Sequence, residues 1–497
     1  MKKMNLLAMS LVSAAALSFS SCSNNDDLTG GGTQSQADGV YMTLKISGAT
    51  SHGTRTSVTD GKTTTDNGSV AESTITEGMM YIYDGPTCVF HKVITKDMFE
   101  TAPTQTTSGV TKPIKVAVTG AITTGKKYDV YFLANRTNVD NPIAATSIFT
   151  SNTGGADFAT DNKFVMFNQN DGTKAAAHSK VEFTDAAKSD KSPAAADEIK
   201  LDRVVARIDR PSFAETVTTV TPATDTKTSI NVADVVAGIS YEGFAVSNLN
   251  NNSYVMQNWD TNFKTLNVKW GEPKYSLPKS TYGSLYNAEG LANFDTKEKP
   301  VSWKYAFENT TADVNDATAV YFKVKVALTE TAMAASDFKD GTFYRYDGRL
   351  YTSIKAIFDN AATGEISNPF TETNSITPAD VVAKISDADG KLTTDEAKLA
   401  KFRQDYKIEV YRQGTMYYRW AISDNAYKPF VASDPTHTYS VLRNSIYRLN
   451  VTKVSEIGKD VPNGPEPDDP IKNPNFYMNV TVSINPWVLN AQPIELK

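Results

Sequence analysis

Residues 40–47 decide the class of fold, and they read Val40-Tyr41-Met42-Thr43-Leu44-Lys45-Ile46-Ser47. The apolar residues Val40, Met42, Leu44 and Ile46 alternate with the others, and a period of two predicts a β-strand with one buried face. The chain also contains 23 Tyr and 22 Phe, which favour strands. Short strands joined by turn-rich connections are typical of β-sandwiches rather than of alternating β/α units.

Similar runs recur along the chain, with few helical signals between them. The predicted strands cover residues 79–83, 114–118, 129–134, 164–168, 204–208, 319–328, 406–411, 416–422 and 445–454. Residues 394–403 give the best helical pattern, with Thr394 as a possible cap and Leu399 and Phe402 on one face. The sequence therefore predicts an all-β protein with few short helices.

Length and composition narrow the function. At about 150 residues per domain, 497 residues suggest three domains, or two if the sandwiches are large. The net charge of -6 argues against nucleic-acid binding, which requires a basic surface. Two cysteines, Cys22 and Cys88, and four histidines are too few for a disulfide framework or a zinc cluster. The composition favours a structural or binding protein over an enzyme.

The first residues are typical of an export signal. Lys2 and Lys3 precede an apolar run over residues 6–19, and small residues precede Cys22. This pattern resembles a bacterial lipobox, with Phe19 where Leu is usual. We expect residues 1–21 to be a lipoprotein signal peptide and Cys22 to be the lipidated N-terminus, followed by a polar tether over residues 23–38. The alternative is an ordinary secreted protein with an incidental cysteine.

The C-terminal region combines a proline-rich connector with a strand. Residues 461–474 hold five prolines among acidic residues, which predicts an extended, solvated connector. After it, apolar residues alternate with polar or aromatic ones, and the apolar set is Phe476, Met478, Val480, Val482 and Ile484. The pattern predicts an amphipathic strand that a semi-rigid spacer holds away from the body. The alternative is a last strand that folds back onto its own domain.

Two loops resemble ligand-binding motifs without completing them. Residues 120–126 have the spacing of a phosphate-binding loop, but Lys127 and a strand follow where a Ser or Thr and a helix are needed, so we interpret them as a hairpin turn. Asp387, Asp389 and Glu396 match part of an EF-hand loop, but Ile385 occupies its first position. A turn leading into the helix explains the same residues, and calcium is not assigned.

Catalytic signatures are not found in the sequence. Cys88 follows a Gly-Pro turn beside apolar residues and is interpreted as a buried free thiol. The aromatic stretch Tyr417-Tyr418-Arg419-Trp420 could stack on a carbohydrate, but alternation in a strand favours a core face and a rim. The sequence predicts no catalytic residue, no metal site and no cofactor.

Several segments together resemble the shaft subunits of type V fimbriae of Bacteroidales, in the FimA/Mfa-like fimbrillin family. They are the lipobox end before Cys22, the strand at 41–44 followed by a small-residue loop with Arg55, and the stretches 129–135 and 204–207. The C-terminal segments are 417–420, 443–447, the connector, and residues 476–487. Each is short, but their order and spacing together are fairly specific.

The resemblance implies a fold, a maturation pathway and a set of partners. The fold would be two transthyretin-like β-sandwich domains in tandem, at residues 56–199 and 200–497, with residues 186–196 as an exposed linker. The precursor would be an outer-membrane lipoprotein that a surface protease cleaves between Arg55 and Thr56, which removes the propeptide 22–55 with its strand.

Polymerisation would then proceed by donor-strand exchange. The strand carrying Val40, Met42, Leu44 and Ile46 is lost, and residues 475–497 of a neighbouring subunit replace it in a head-to-tail polymer. Anchor and tip subunits would be further partners at the cell surface. Nucleic acid is not expected to be a partner. Two other functions were weighed: a surface adhesin or tip subunit that binds a host or glycan ligand, and a secreted hydrolase, for which no motif is found.

Overall fold

The structure is a computed structural model, and its elements are mostly strands. It describes residues 39–48, 69, 71–100, 113–137, 142–170, 179–213, 232–258, 274–275, 302–311, 313–371, 375–423, 439–454, 457–461 and 478–486. The helices are α1 (Lys96–Glu100), α2 (Val232–Val235), α3 (Glu330–Ala335), α4 (Ile354–Ala362), α5 (Pro378–Lys384) and α6 (Glu396–Tyr406). The predicted predominance of strands over short helices is confirmed.

The strands fall into an N-terminal and a C-terminal series. The first series is β1 (Val40–Leu44), β2 (Ile46–Gly48), β3 (Gly78–Asp84), β4 (Thr87–Ile94), β5 (Ile114–Val118), β6 (Lys127–Ala134), β7 (Ile148–Thr150), β8 (Ala159–Thr160), β9 (Lys163–Phe164), β10 (Met166–Asn168), β11 (Ser179–Glu182), β12 (Ala194–Ala195), β13 (Ile199–Arg203), β14 (Ala206–Asp209) and β15 (Ser212–Phe213). The second series is β16 (Val236–Ser247), β17 (Leu249–Asn250), β18 (Asn252–Tyr254), β19 (Lys274–Tyr275), β20 (Trp303–Ala306), β21 (Asn309–Thr311), β22 (Ala319–Leu328), β23 (Phe343–Tyr346), β24 (Arg349–Tyr351), β25 (Glu409–Tyr411), β26 (Thr415–Ala421), β27 (Tyr439–Val441), β28 (Ser445–Val454) and β29 (Met478–Pro486).

Two sheets enclose the first core. One has the order β12-β1-β5, and the other has the order β2-β13-β10-β6-β3-β4, with β11 beside β6. The central strands β3 and β6 are almost continuously apolar and buried, as expected where neighbours cover both faces. Met42 from one sheet and Ile82 from the other belong to the same cluster of buried side chains. We call this unit the first sandwich.

A second pair of sheets encloses another core. The order β15-β28-β14-β20, with β29 beside β28, forms one sheet, and β16-β22-β26 forms the other. Leu449 on β28 and Phe322 on β22 lie in the same buried cluster. The sequence-predicted bounds 319–328 and 445–454 coincide with β22 and β28. We call this unit the second sandwich.

Residues 330–411, between β22 and β26, form a further unit that the sequence analysis did not separate. Its sheet has the order β24-β23-β25, and helices α4, α5 and α6 pack on it around a core of their own. The helix expected over residues 394–403 is present as α6, with Leu399 and Phe402 buried as predicted. Its cap is Asp395 rather than Thr394, because the Asp395 carboxylate accepts from the amides of Ala397 and Lys398. We call residues 330–411 the inserted unit.

The passage between the sandwiches lies slightly later than the expected boundary at residue 200. β13 pairs with β10 and β2 in the first sandwich, whereas β14 pairs with β20 and β28 in the second. The stretch 186–196, expected to be an exposed linker, is exposed over residues 188–192, but it also contains β12, which pairs with β1, and the fully buried Ala187. Because β12 lies at the edge of its sheet, a largely exposed stretch is compatible with this pairing.

Candidate functional site

The first strand is the centre of its sheet. β1 pairs antiparallel with β5, from Val40 opposite Val118 to Leu44 opposite Ile114. Its other edge pairs parallel with β12 at Met42 and Thr43. The chain then crosses to the other sheet of the sandwich, where β2 pairs parallel with β13. Residues 40–48 thus contribute to both sheets.

All four apolar positions of this segment are buried. Val40 is 6% exposed, and Met42, Leu44 and Ile46 are 0% exposed. At roughly 1.5–3 kcal/mol per buried side chain, their removal would forfeit about 6–12 kcal/mol of apolar burial. That amount is comparable with the whole stability of a domain. The strand predicted to be displaced is therefore an integral part of the first core.

Losing the segment would also leave backbone groups without their partners. The carbonyl of Thr43 accepts from the Ala196 amide at 3.1 Å, and that of Lys45 accepts from the Ile199 amide at 2.9 Å. The facing edge of β5 would lose its ladder as well. An open groove with unpaired strand edges on both sides is a template for another strand.

The processing residues expected from the sequence cannot be placed. Cys22, Arg55 and Thr56 lie outside the described residues, as does Phe476 at the start of the expected donor strand. The described chain ends at Gly48 and resumes at Ser69. Within the described chain, none of the helices is both long and apolar enough to cross a membrane.

The C-terminal strand lies on its own subunit in this structure. β29 pairs antiparallel with β28, with Met478, Val480, Val482 and Ile484 opposite Val454, Val451, Leu449 and Tyr447. Those four partners on β28 are buried, whereas Asn450, opposite Thr481, is exposed. The apolar positions of the strand thus match the buried face of β28 in register. The alternative of a last strand that returns to its own domain describes this arrangement.

A buried carboxylate fixes the chain where it resumes after the segment that contains Arg55. Glu72 is 0% exposed, and its carboxylate accepts from Arg207 Nη1 at 3.0 Å, from the Tyr305 hydroxyl at 2.9 Å and from the Ser69 amide at 2.6 Å. Burial alone would raise the pKa of Glu72, but the Ser69 amide and Arg207 outweigh it and hold the pKa below its ordinary 4.5. Arg207 and Tyr305 belong to the second sandwich, so Glu72 joins the two units.

A second buried network crosses the same junction. Arg443 is 0% exposed; its Nε donates to Glu308 at 2.9 Å and its Nη1 donates to the Val255 carbonyl at 2.8 Å. Val255 packs in the core of the first sandwich. Arg203 on β13 donates to the Asn444 side chain at 3.0 Å. Because buried charges are costly unless they are paired, these contacts require the two sandwiches to keep one arrangement.

The loops that resembled ligand sites have structural roles. Residues 120–126 join β5 in one sheet to β6 in the other, so the expected hairpin is wrong, and no helix follows to hold a phosphate. The Asp387 carboxylate accepts from the Asp389 and Lys391 amides of its own turn, and Glu396 accepts from Arg412 at 2.9 Å. No group of three or more potential metal ligands occurs among the residues that the structure describes.

The aromatic stretch on β26 is largely internal. Tyr417 and Tyr418 are each 1% exposed, which removes their rings from any surface that could stack on a carbohydrate. The Cys88 thiol is half-buried against the first core and donates to the Phe90 carbonyl at 3.3 Å. Of the four histidines, only His91 lies in the described chain.

Sequence reasoning missed the polar residues of the junction. Glu72 and Arg207 lie 135 positions apart, and no local pattern connects them. The one available signal was the presence of charged residues, such as Arg203 and Arg207, within strongly apolar segments. Such residues are rarely fully buried unless they are paired.

Comparison with protein families finds a match in the C-terminal part of the chain. Residues 409–493 match the family described as major fimbrial subunit protein type IV, fimbrillin, C-terminal. This part of the chain is fimbrillin-like. The match includes residues 417–420, 443–447, the proline-rich connector and residues 476–487, which are the segments on which the C-terminal resemblance rested. Fimbrillins are structural subunits of cell-surface fimbriae, so the match supports a non-enzymatic fimbrial subunit.

Several fimbrial proteins are among the solved structures to which this chain is similar. The fimbrilin FimA of Porphyromonas gingivalis W83 is 16% identical with a TM-score of 0.38, over 90% of this chain and 98% of that one. The tip fimbrial protein Mfa3 of P. gingivalis is 11% identical with a TM-score of 0.33, over 90% and 100%. A fimbrial assembly protein of Parabacteroides distasonis is 12% identical with a TM-score of 0.27, over 59% and 82%. At these TM-scores we base no argument on them. No curated protein matches this chain.

Proposed function

We propose that this protein is a shaft subunit of a fimbrium, exported as a lipoprotein on Cys22, cleaved after Arg55 and polymerised by donor-strand exchange. The observation that carries the proposal is the central position of β1 between β5 and β12. A strand at the edge of a sheet could be lost with little consequence. A central one leaves a groove that only another strand can fill.

The donor in this proposal is the C-terminal strand. β29 pairs only with β28 among the described strands, so its release leaves the order β15-β28-β14-β20 intact. Release would cost the contacts with β28, and insertion into a neighbour's groove would gain a strand partner on each side. A tethered strand is also offered at a high effective concentration. The polymer would be head-to-tail, and it would support adhesion and biofilm formation at the cell surface.

The domain division is part of the same proposal. The first sandwich, from Thr56 to the end of β13, would be the acceptor, and the second sandwich would carry the donor. We propose that the two are transthyretin-like domains in tandem and that the inserted unit belongs to the second. Anchor and tip subunits, a processing protease and the outer membrane would be the other partners.

The processing step can be tested on the surface-exposed protein. We expect mature filaments to begin at Thr56 and to form SDS-resistant ladders on gels. Arg55→Ala should leave a lipidated precursor that does not polymerise, because β1 stays in place. Filament protein that still begins at Cys22 would contradict the proposal, and so would normal ladders from Arg55→Ala.

A tip or accessory adhesin is the second candidate function. Such subunits would lack either the tethered C-terminal strand or the cleavable first strand, and this chain carries both. Immunogold labelling along the whole filament supports the shaft, whereas labelling confined to its ends supports a tip subunit.

A further inference from the structure

The chain that leads into the proline-rich connector is fixed on two sides, by β26 and by the inserted unit. Residues 457–461 lie against β26, where the Tyr417 amide donates to the Lys459 carbonyl at 2.8 Å and the Lys459 amide donates to the Tyr417 carbonyl at 2.9 Å. Ile457, Asp460 and Val461 are buried. We call residues 457–461 the root.

The inserted unit supplies the second side. Arg345 on β23 donates to the Ile457 carbonyl at 3.0 Å, and the Tyr411 hydroxyl on β25 donates to the Gly458 carbonyl at 2.8 Å. The Asp460 carboxylate, which is 0% exposed, accepts from the Val410 amide at 2.8 Å and from Arg403 Nε. The inserted unit thus supplies a donor to the Ile457 carbonyl, to the Gly458 carbonyl and to one oxygen of the Asp460 carboxylate.

Charge pairing and close packing complete the fixation. Lys459 Nζ lies 3.4 Å from Glu409 Oε1, and Arg345 pairs with the same carboxylate. A Cβ atom at Gly458 would come within 2.4 Å of the Tyr417 carbonyl oxygen. That distance is too short for any side chain, so only glycine permits the root to lie this close to β26.

We propose that the root is a permanent anchor for the C-terminal strand and that Arg403, Tyr411 and Arg345 of the inserted unit are positioning residues for polymerisation. The strand would move between β28 of its own subunit and the groove of a neighbour while the root stays in place. This inference rests on the proposed donor-strand exchange. Residues 462–477 separate the root from β29, and 16 residues span up to about 50 Å when extended. The strand can therefore move without releasing the root.

In a filament, the inserted unit would hold the root in place against tension. Tension on a donor strand in a neighbour passes back along the connector to its own subunit. At the root it meets a backbone bridge, a buried ion pair and the core of the inserted unit, rather than the ladder between β28 and β29 alone. The anchor thus fixes the point from which the connector and the donor strand extend. It is also the point at which tension on the donor strand is transferred to the rest of the subunit.

Hydrogen exchange on monomer and filament tests whether the anchor is permanent. We expect the amides of Tyr417 and Lys459 to exchange slowly in both states, with protection factors within about threefold of each other. The amides of β29 should change their protection on assembly, since they exchange one partner strand for another. Loss of protection at Lys459 by more than about tenfold in the filament would show that the root peels away and would overturn the anchor.

Gly458→Ala tests the positioning role, with Gly238→Ala as the matched control. A Cβ at Gly458 forces the root off β26, whereas one at Gly238 meets nothing within 4 Å. We expect Gly458→Ala to polymerise at least tenfold more slowly while its monomer retains the circular dichroism of the parent. Gly238→Ala should polymerise at the parental rate. Parental polymerisation by a folded Gly458→Ala would overturn the inference.

A donor peptide separates this inference from the proposed function. A synthetic peptide of residues 475–497 should bind the cleaved Gly458→Ala subunit and the cleaved parent equally, because the acceptor groove is untouched. Equal binding together with slow self-assembly supports the anchor. A peptide that binds neither subunit would contradict donor-strand exchange itself, whatever the exchange data show at the root.

Discussion

At the scale of single residues, Glu72 links the two sandwiches through a carboxylate with no access to water. Glu72→Ala should lower the free energy of unfolding by about 3–5 kcal/mol, because it removes one partner of a buried ion pair and leaves Tyr305 and the Ser69 amide without their acceptor. Glu182→Ala is the control, since its pair with Lys127 at 3.7 Å is exposed and should contribute less than about 1 kcal/mol. Equal effects in urea denaturation would contradict the buried role of Glu72.

Glu396 is expected to make stability depend on pH in the unusual direction. Burial raises the pKa of its carboxyl from 4.5 to about 7, even though Arg403 and Arg412 favour the charged form; Asp460 opposes it, and Tyr417 faces the same site. Since the folded-state pKa lies above the unfolded one, the contribution to stability is present below pH 4.5 and is lost as the pH rises through about 7.

Substitution of Glu396 tests that sign. Relative to Glu396→Gln, the parent should lose up to about 3 kcal/mol of unfolding free energy between pH 4.5 and pH 7, at about 1.4 kcal/mol per pKa unit. Glu330→Gln is the control, because Glu330 also begins a helix but is exposed. Parallel stability curves for Glu396→Gln and the parent would show that Glu396 does not titrate in this range.

At the scale of elements, local alternation predicted some strands and missed others, among them β4 and β16. β22 and β28 have the predicted bounds because each presents one face to a core, and a period of two records that directly. The inserted unit was largely missed, since α4 and α5 are only 9 and 7 residues long and carry brief patterns. The loop 120–126 was misread for another reason. Adjacent strands in the sequence usually pair, but β5 and β6 pair in different sheets.

The C-terminal strand provides an element-scale prediction. Val480→Asp places a charge at the position opposite the buried Val451, whereas Thr481→Asp places one opposite the exposed Asn450. We expect Val480→Asp to abolish filaments in electron micrographs and Thr481→Asp to have a much milder effect. Because β29 pairs with β28 alone among the described strands, Val480→Asp should displace the strand and leave the monomer folded by circular dichroism. Global unfolding of Val480→Asp would show that β29 is an integral strand of its own sandwich and not an exchangeable donor.

At the scale of the whole molecule, the two sandwiches are joined by contacts that no sequence pattern shows. β7 pairs with β18 across the junction, and Arg443 of the second sandwich reaches the carbonyl of Val255 in the first core. Alternation reports which face of a strand is buried but not which distant strand covers it. The sequence therefore predicted the first strand and the C-terminal strand separately. The contacts that join the two sandwiches became visible only in the structure.

The proposed function makes the mature subunit metastable, and this is measurable. Removal of residues 1–55 takes away β1 and β2, whose four buried side chains Val40, Met42, Leu44 and Ile46 belong to the first core. We expect the cleaved subunit to have a clearly lower melting temperature than the precursor, because roughly 6–12 kcal/mol of apolar burial is lost. Addition of the peptide 475–497 should raise the melting temperature in proportion to the logarithm of its concentration, as binding to the folded state alone requires. The same peptide carrying Val480→Asp should have no effect. A cleaved subunit as stable as its precursor would show that no groove opens, and the strand between β5 and β12 would then have no part in assembly.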